Sequence, residues 1–306
     1  DRKGKVCRMK ERHTLTAKKK VLALVLMAPA AVLIGIFFVW PMFMTVYYAF
    51  TNLTLTGAQA LDTKFIGLLN FRNVFSDPKF KTVMKNTVVF LLFSGIIGQQ
   101  IFGFIFASLM KKRNVYVRRF TGFAVVLGWI TPEIIAAYMF AAFFNDKGTL
   151  NMIIKAFGGQ KVSWLFTYPM LSVIIANIWK GTAYSMLMFQ AALDSISDDI
   201  VEAAKIDGAN EWKIFFTIVM PNVKPAWLTM IIFSVQSLWN NKAATFIYSE
   251  EKKMLVYALQ QIQSGGIART GQAAAVTVIV MLVPILIFVL SESQILETMA
   301  SSGLKD

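Results

Sequence analysis

Two residue types that build many functional sites are nearly absent from this 306-residue sequence, which has one cysteine, Cys7, and one histidine, His13. A lone cysteine excludes an internal disulfide, and the two residues leave no Cys/His cluster for a metal. No stretch reads GxxxxGK[ST], the loop that cradles nucleotide phosphates, so the chain is not expected to hydrolyse ATP alone. No paired acids or histidine clusters lie inside apolar runs, which argues against a membrane-embedded enzyme. Acids are scarce, 17 against 31 Lys and Arg. No Gly/Ser-rich or Pro-rich linker divides the chain, and no strand alternation is sustained.

Apolar residues fill the space these absences leave. They make up 56% of the chain, with 26 Phe, 16 Met and a mean hydropathy of +0.57, far too apolar for a soluble domain. The net charge of +14 does not point to nucleic acid. Its cations concentrate in short segments flanking apolar runs, as in cytoplasmic loops beside anionic lipid.

Crossing a hydrocarbon core of about 30 Å takes roughly 20 apolar residues. Six stretches qualify, near 21–48, 86–109, 120–144, 168–192, 226–247 and 272–291. The first is too long for the apolar core of a signal peptide. Nine Lys/Arg precede it, and Lys111, Lys112, Arg113, Arg118 and Arg119 lie between the second and third, so both segments are expected to be cytoplasmic. Both termini and the segment 193–225 then lie inside. The expected fold class is all-α, a polytopic membrane protein with six transmembrane helices and a cytoplasmic hairpin between spans four and five. Its parts are a basic tail at 1–20, a six-span domain at 21–291 and a C-terminal tail at 292–306. Trp40-Pro41 reads as an interfacial anchor and kink, and Asn70 through Phe80 as an amphipathic helix on the outer surface.

The segment 194–221 reads DSISDDIVEAAKIDGANEWKIFFTIVMP. Asp199 with Glu202 three positions on supplies an N-cap, and Ser197 competes for that place. Gly208 is placed to end the helix in the left-handed conformation, and Asn210 to cap a second helix running toward Pro221. Trp212, Phe215, Phe216 and Val219 follow the spacing of a buried face that would hold the unit to the bundle. The first helix instead offers Ala203 and Ala204 beside Glu202 and Asp207, small residues flanked by acids that suit docking. The bland reading is a surface hairpin that only connects two spans.

Glu202-Ala203-Ala204, Asp207-Gly208-Ala209, Phe216, Ile218 and Pro221 closely resemble the EAA signature of binding-protein-dependent ABC importer permeases. The string stands where those permeases carry it, after the fourth of six spans. Trp179-Lys180-Gly181 through Leu193-Asp194-Ser195-Ile196 is similar to the run before the signature in the maltose and glycerol-phosphate type permeases. The likeness extends over roughly residues 80–295. This chain has Ser197 where the family usually has proline, and short outer loops in place of the maltose permease's insertion and extra spans.

The resemblance implies a permease subunit of an ATP-driven importer of a sugar or oligosaccharide. Glu202, Ala203, Ala204, Asp207, Gly208 and Ala209 would form the coupling helix in a groove of the ATPase subunit. Its implied partners are a companion permease, two cytoplasmic ATPase subunits that hold ATP and Mg, and an extracellular solute-binding protein. The chain itself is expected to bind no cofactor, no metal and no nucleic acid, to lie in the bacterial cytoplasmic membrane and to be non-catalytic. Alternatives are another cargo, such as glycerol-phosphate or an amino acid, and an ion-coupled secondary transporter.

Sugar recognition needs hydroxyl-directed polar groups and aromatic faces inside the spans. Gln236, Trp239 and Asn240 share one face of span five, with Ser237 beside it, and Gly181, Tyr184 and Met188 form a stripe on span four. Aligned on the signature, Gly181, Tyr184 and Asn240 match sugar-contacting positions of the maltose permease. The competing reading is interhelical hydrogen bonding. Gln99 and Gln100 are weaker candidates. Glu133 and Lys180 are the deep charges, each needing a partner, and they are expected to pair.

Overall fold

The computed structural model describes residues 22, 24–57, 60, 62–111, 113–239 and 269–303, with side chains of the last helix as far as Ser291. The helices are α1 (Leu24–Ala49), α2 (Leu69–Ser76), α3 (Pro78–Lys111), α4 (Val115–Ile130), α5 (Glu133–Phe144), α6 (Thr149–Ala156), α7 (Trp164–Thr167), α8 (Pro169–Asp194), α9 (Asp198–Ile206), α10 (Glu211–Trp239) and α11 (Thr270–Gly303). The described residues contain no strand beyond one isolated bridge, Thr51 to Phe65. Contacts divide the chain into two compact units, Asp1–Asn73 with Gly266–Val278 and Val74–Gly265 with Ile279–Asp306.

Among the described residues four helices are long and apolar enough to cross a membrane: α1, α3, α10 and α11, the last over Thr270–Ser291. A bent pair, Val115–Ile130 with Glu133–Ala156, makes a fifth if it counts as one span. The expected single helix over 120–144 is therefore corrected. The pair bends by 100° at Thr131-Pro132. Pro132 lacks an N–H and its ring keeps the preceding residue out of the α region, and Thr131 accordingly has ψ 124. The Thr131 hydroxyl donates to the Leu127 carbonyl at 2.8 Å, beside the Thr131 N–H that donates to the same oxygen at 3.2 Å. α8 has 26 residues, about 39 Å of rise, but Asn177, Lys180 and its Ser/Thr residues make it less apolar.

Two further boundaries differ from expectation. The amphipathic stretch through Phe80 is two helices, because Asp77 ends the first and caps α3, accepting from the Lys79 N–H at 2.8 Å with Pro78 in the first turn. The second hairpin helix does not stop at Pro221 but runs on as α10 to Trp239. A wider π-type turn over Phe215–Val219 precedes Pro221 and opens the backbone where a proline removes an N–H.

In the first unit, Ala49 at the end of α1 packs on Ala274, Ala275 and Val278, with Phe50 and Phe71 beside them. The buried Asn70 amide donates to the Ala49 and Thr51 carbonyls at 3.0 and 2.8 Å, closing the turn after α1. In the second unit, α3 and α8 form the central seam. A Cβ at Gly103 of α3 would lie 2.5 Å from the Ser185 Cβ and 3.0 Å from the Met186 nitrogen. Small residues at such crossings let membrane helices gain dispersion contacts where lipid offers no hydrophobic drive. Toward one end, Phe90, Leu91, Ile174, Leu238 and Trp239 cluster; toward the other, Ala107, Met186, Phe189, Leu193 and Val223 do. The loop after α5 is tied by Asn151, whose amide donates to the Val162 carbonyl at 2.8 Å, and by Asp146. Hydrogen bonds from Lys161 and then Ser163 hold the Asp146 carboxyl below the ordinary aspartate pKa.

Two predictions follow from this packing. Gly103→Ala should cost about 1–3 kcal/mol by overpacking a stiff seam, whereas Gly122→Ala, with open space around it, should be neutral; melting in detergent distinguishes them. Because the folded Asp146 pKa is depressed, its contribution is present above the ordinary aspartate pKa and lost as pH falls through the folded value. The melting difference between wild type and Asp146→Asn should accordingly exist near neutral pH and vanish in acid.

Candidate functional site

The hairpin begins with Ser197, not Asp199, as its cap. The Ser197 side chain accepts from the Asp199 N–H at 3.2 Å, and its backbone is extended, with φ −61 and ψ 135. Asp198 and Asp199 then fall in the first turn, where the positive end of the helix dipole favours them. After Ile206 the chain turns through Gly208 at φ +77, a conformation costly for any side chain. The Ala209 N–H donates back to the Ala204 carbonyl at 2.9 Å. Asn210 caps α10 by accepting from the Lys213 N–H at 2.8 Å, and Lys205 pairs with Glu211 at 2.7 Å across the turn.

This rigid turn presents Glu202, Ala203, Asp207 and Gly208 to the outside, with Ala204 and Ala209 half-buried. Ile206 beside them is 86% exposed, an unusual place for a large aliphatic side chain. Trp212 and Phe216, expected on the inner face, are exposed at 72% and 61% and stack on each other at 6.3 Å. The inner face is instead the buried Ile214 with the half-buried Phe215, Ile218 and Val219, a stripe at i, i+1, i+4 and i+5. At the root, Val201 and Ile218 pack against the cluster of Phe189, Leu193 and Val223. Lys111 pairs with Asp198 at 3.8 Å, and Arg118 pairs with Asp194. The basic segment after α3 and the acidic start of the hairpin therefore meet.

Inside the bundle, polar side chains of three helices converge. The Gln99 amide donates to the Asn177 carbonyl at 3.1 Å and accepts from Ser234 at 3.4 Å. The Asn177 amide donates to Ser94 at 2.9 Å, and Gln100 donates to Ser234 at 3.4 Å. Gln100 Oε1 and the buried hydroxyls of Thr182 and Ser185 have no hydrogen-bond partner among the described residues. Gly181 lies against the Gln99 amide, where a Cβ would come within 2.0 Å. Tyr184 stacks on Trp129 at 5.3 Å, and Met188 is half-buried. On α10, Gln236 is half-buried and Ser237 exposed. Trp239 departs from the expected shared face: it is 4% exposed, lies in the apolar cluster and donates its indole N–H to the Val280 carbonyl at 3.0 Å. Asn240 lies outside the described residues. Reasoning from sequence missed Ser94, Asn177 and Ser234, though Asn177 stands one turn before Gly181.

The two deep charges meet. Lys180 Nζ lies 3.8 Å from Glu133 Oε1, at the first residue of α5 beyond the break. Both line a cavity of about 120 Å³ whose walls include Phe140 and Phe144. Lys180 is the more enclosed partner, at 23% exposure against 74%.

The family model described as "Binding-protein-dependent transport system inner membrane component" matches residues 99–298. The chain belongs to this family. Among curated relatives of this permease, it is 30% identical to the sulfoquinovosyl glycerol transport system permease protein SmoG of Agrobacterium fabrum, over 70% of this chain and 69% of that protein. It is 28% identical to the sn-glycerol-3-phosphate transport system permease protein UgpA of Pectobacterium atrosepticum, over 69% and 70% of the two chains. Its fold is similar to that in the crystal structure of a bacterial ABC transporter involved in importing the acidic polysaccharide alginate. There the TM-score is 0.73 at 20% identity, covering 96% of this chain and 100% of that one. Residues 99–298 contain the hairpin, the ion pair and, apart from Ser94, the polar centre of the permease. Reversing either charge of the Glu133 and Lys180 pair should lower the folded yield of the permease in membranes, and the double reversal should restore it. A double reversal no better than the single ones would contradict the pairing.

Proposed function

We propose that this permease forms half of the path of an ATP-driven sugar or oligosaccharide importer and couples to a cytoplasmic ATPase through the hairpin of α9 and the start of α10. The observation that carries this reading is the hairpin's exposed face. Glu202, Ala203 and Asp207 stand beside the exposed Ile206 on a turn fixed by two caps, a left-handed glycine and an ion pair. Small residues let a partner's groove approach closely, acids supply charge at the rim, and the rigid root transmits movement. Carbohydrate cargo is supported by relatives named for sulfoquinovosyl glycerol, sn-glycerol-3-phosphate and, in Rhizobium meliloti, alpha-glucoside transport.

In this reading the spans are six: the four long apolar helices, the bent pair as one, and α8. Both termini lie in the cytoplasm, and the segments 1–20 and 292–306 are tails on the domain at 21–291. Lys111 and Arg118 meeting Asp198 and Asp194 supports placing both segments on one side of the membrane. A companion permease, most simply a distinct one, closes the path; two ATPase subunits hold ATP and Mg; and an extracellular binding protein delivers the solute. The chain is non-catalytic and needs no cofactor or metal of its own. Gly181, Tyr184, Met188, Gln236, Ser237 and Asn240 contribute to the path, supported by the polar centre at which Gly181 stands, while Trp239 serves packing.

Ala203→Arg places a long cation on the small face without touching the caps. Expected is a chain that still inserts into the membrane but no longer co-purifies with the ATPase and loses ATP-dependent uptake. Wild-type uptake by this variant would sink the docking reading.

A further inference from the structure

We propose that the cleft between the foot of α3 and the hairpin is a binding site for an anionic phospholipid, with Arg113 as the cation for its phosphate. The cleft measures about 640 Å³. Its floor is apolar, with Phe104 and Leu109 on one side and Phe215 and Val219 on the other. Three cations face two acids around it, and both acids are already paired: Asp198 with Lys111 at 3.8 Å and Glu211 with Lys205 at 2.7 Å. Arg113 has no ion pair among the described residues, so the uncompensated charge of the cleft is positive and sits there.

Depth identifies the ligand class. Leu109 belongs to the apolar run of α3, and Lys111 and Arg113 follow at once, so these cations lie where hydrocarbon gives way to phosphate. An acyl chain laid along Phe104, Phe215 and Val219 then covers the part of these half-buried side chains that the described residues leave open. The exposed Trp212, also lining the cleft, has the amphipathic ring suited to headgroup depth. A soluble anion would satisfy Arg113 but leave the floor wet, and a zwitterionic lipid would fill the floor but bring its own cation beside the phosphate, leaving the positive charge of the cleft uncompensated. One molecule carrying both acyl chains and a headgroup of net negative charge satisfies both.

The site rests on the reading that places this end of α3 at the membrane boundary, but not on ATP coupling. The assembled importer, with companion and ATPase subunits, is titrated in detergent with phosphatidylglycerol or phosphatidylcholine of matched chains, and retained lipid is counted by native mass spectrometry. Wild type and Arg113→Lys should retain phosphatidylglycerol preferentially. Arg113→Glu should lose that preference by about fivefold or more, with Arg113→Gln between them. Equal retention of both lipids by wild type, or an unchanged preference in Arg113→Glu, overturns the proposal. Because the count needs neither ATP nor sidedness, its failure leaves the docking reading standing, and a failed docking test leaves the lipid count intact.

Discussion

The contact between α3 and α8 is the constraint on which the rest of the second unit depends. In a bilayer, two helices gain little from hiding apolar surface, since lipid is as apolar as leucine, and they hold together by close approach and by hydrogen bonds with no competing water. Gly103 against Ser185 and Gly181 against Gln99 provide the approach, and Gln99 to Asn177 with Asn177 to Ser94 provide the bonds. α8 is one unbroken rod, so this seam fixes three sites at once. Lys180 with its cavity lies on one side of the polar centre, and Asp194, at the root of the hairpin, ends the rod. In the reading proposed above, a displacement of the hairpin is carried along α8 to the residues that surround the path.

In the same reading the hairpin moves as a body. Its turn is closed by local bonds, while its root is held by an apolar cluster and two ion pairs, so force applied at Ala203 reaches Leu193 and Val223 without bending the turn. In the proposed reading the lever is here and the energy enters through the ATPase partner.

What could be read in the sequence was what local chemistry decides. The turn at Gly208, the Asn210 cap and the pairing of two deep charges follow from positions close in sequence or from the high cost of charge in lipid. Helical spans follow from apolar run length. What escaped was set by geometry that no spacing rule contains. Ser197 beat Asp199 as a cap because starting two residues earlier puts both aspartates in the first turn. The bend at Pro132 was hidden by an otherwise continuous apolar run, and aromatic spacing pointed to Trp212 and Phe216 for an inner face that Ile214 and Ile218 occupy instead. Trp239 shares a stripe with Gln236 on a helical wheel, yet packing against Phe90 and Leu91 decided its place. Ser234, which meets both glutamines, carries no sequence signal beyond being a serine in an apolar helix.

The most direct test of the central claim is solute uptake into proteoliposomes that hold this permease with its companion, ATPase and binding protein. The account predicts accumulation of labelled oligosaccharide only when ATP reaches the ATPase face, with no uptake when the ATPase is left out. Uptake by the permease alone, driven by a proton or sodium gradient, would contradict it.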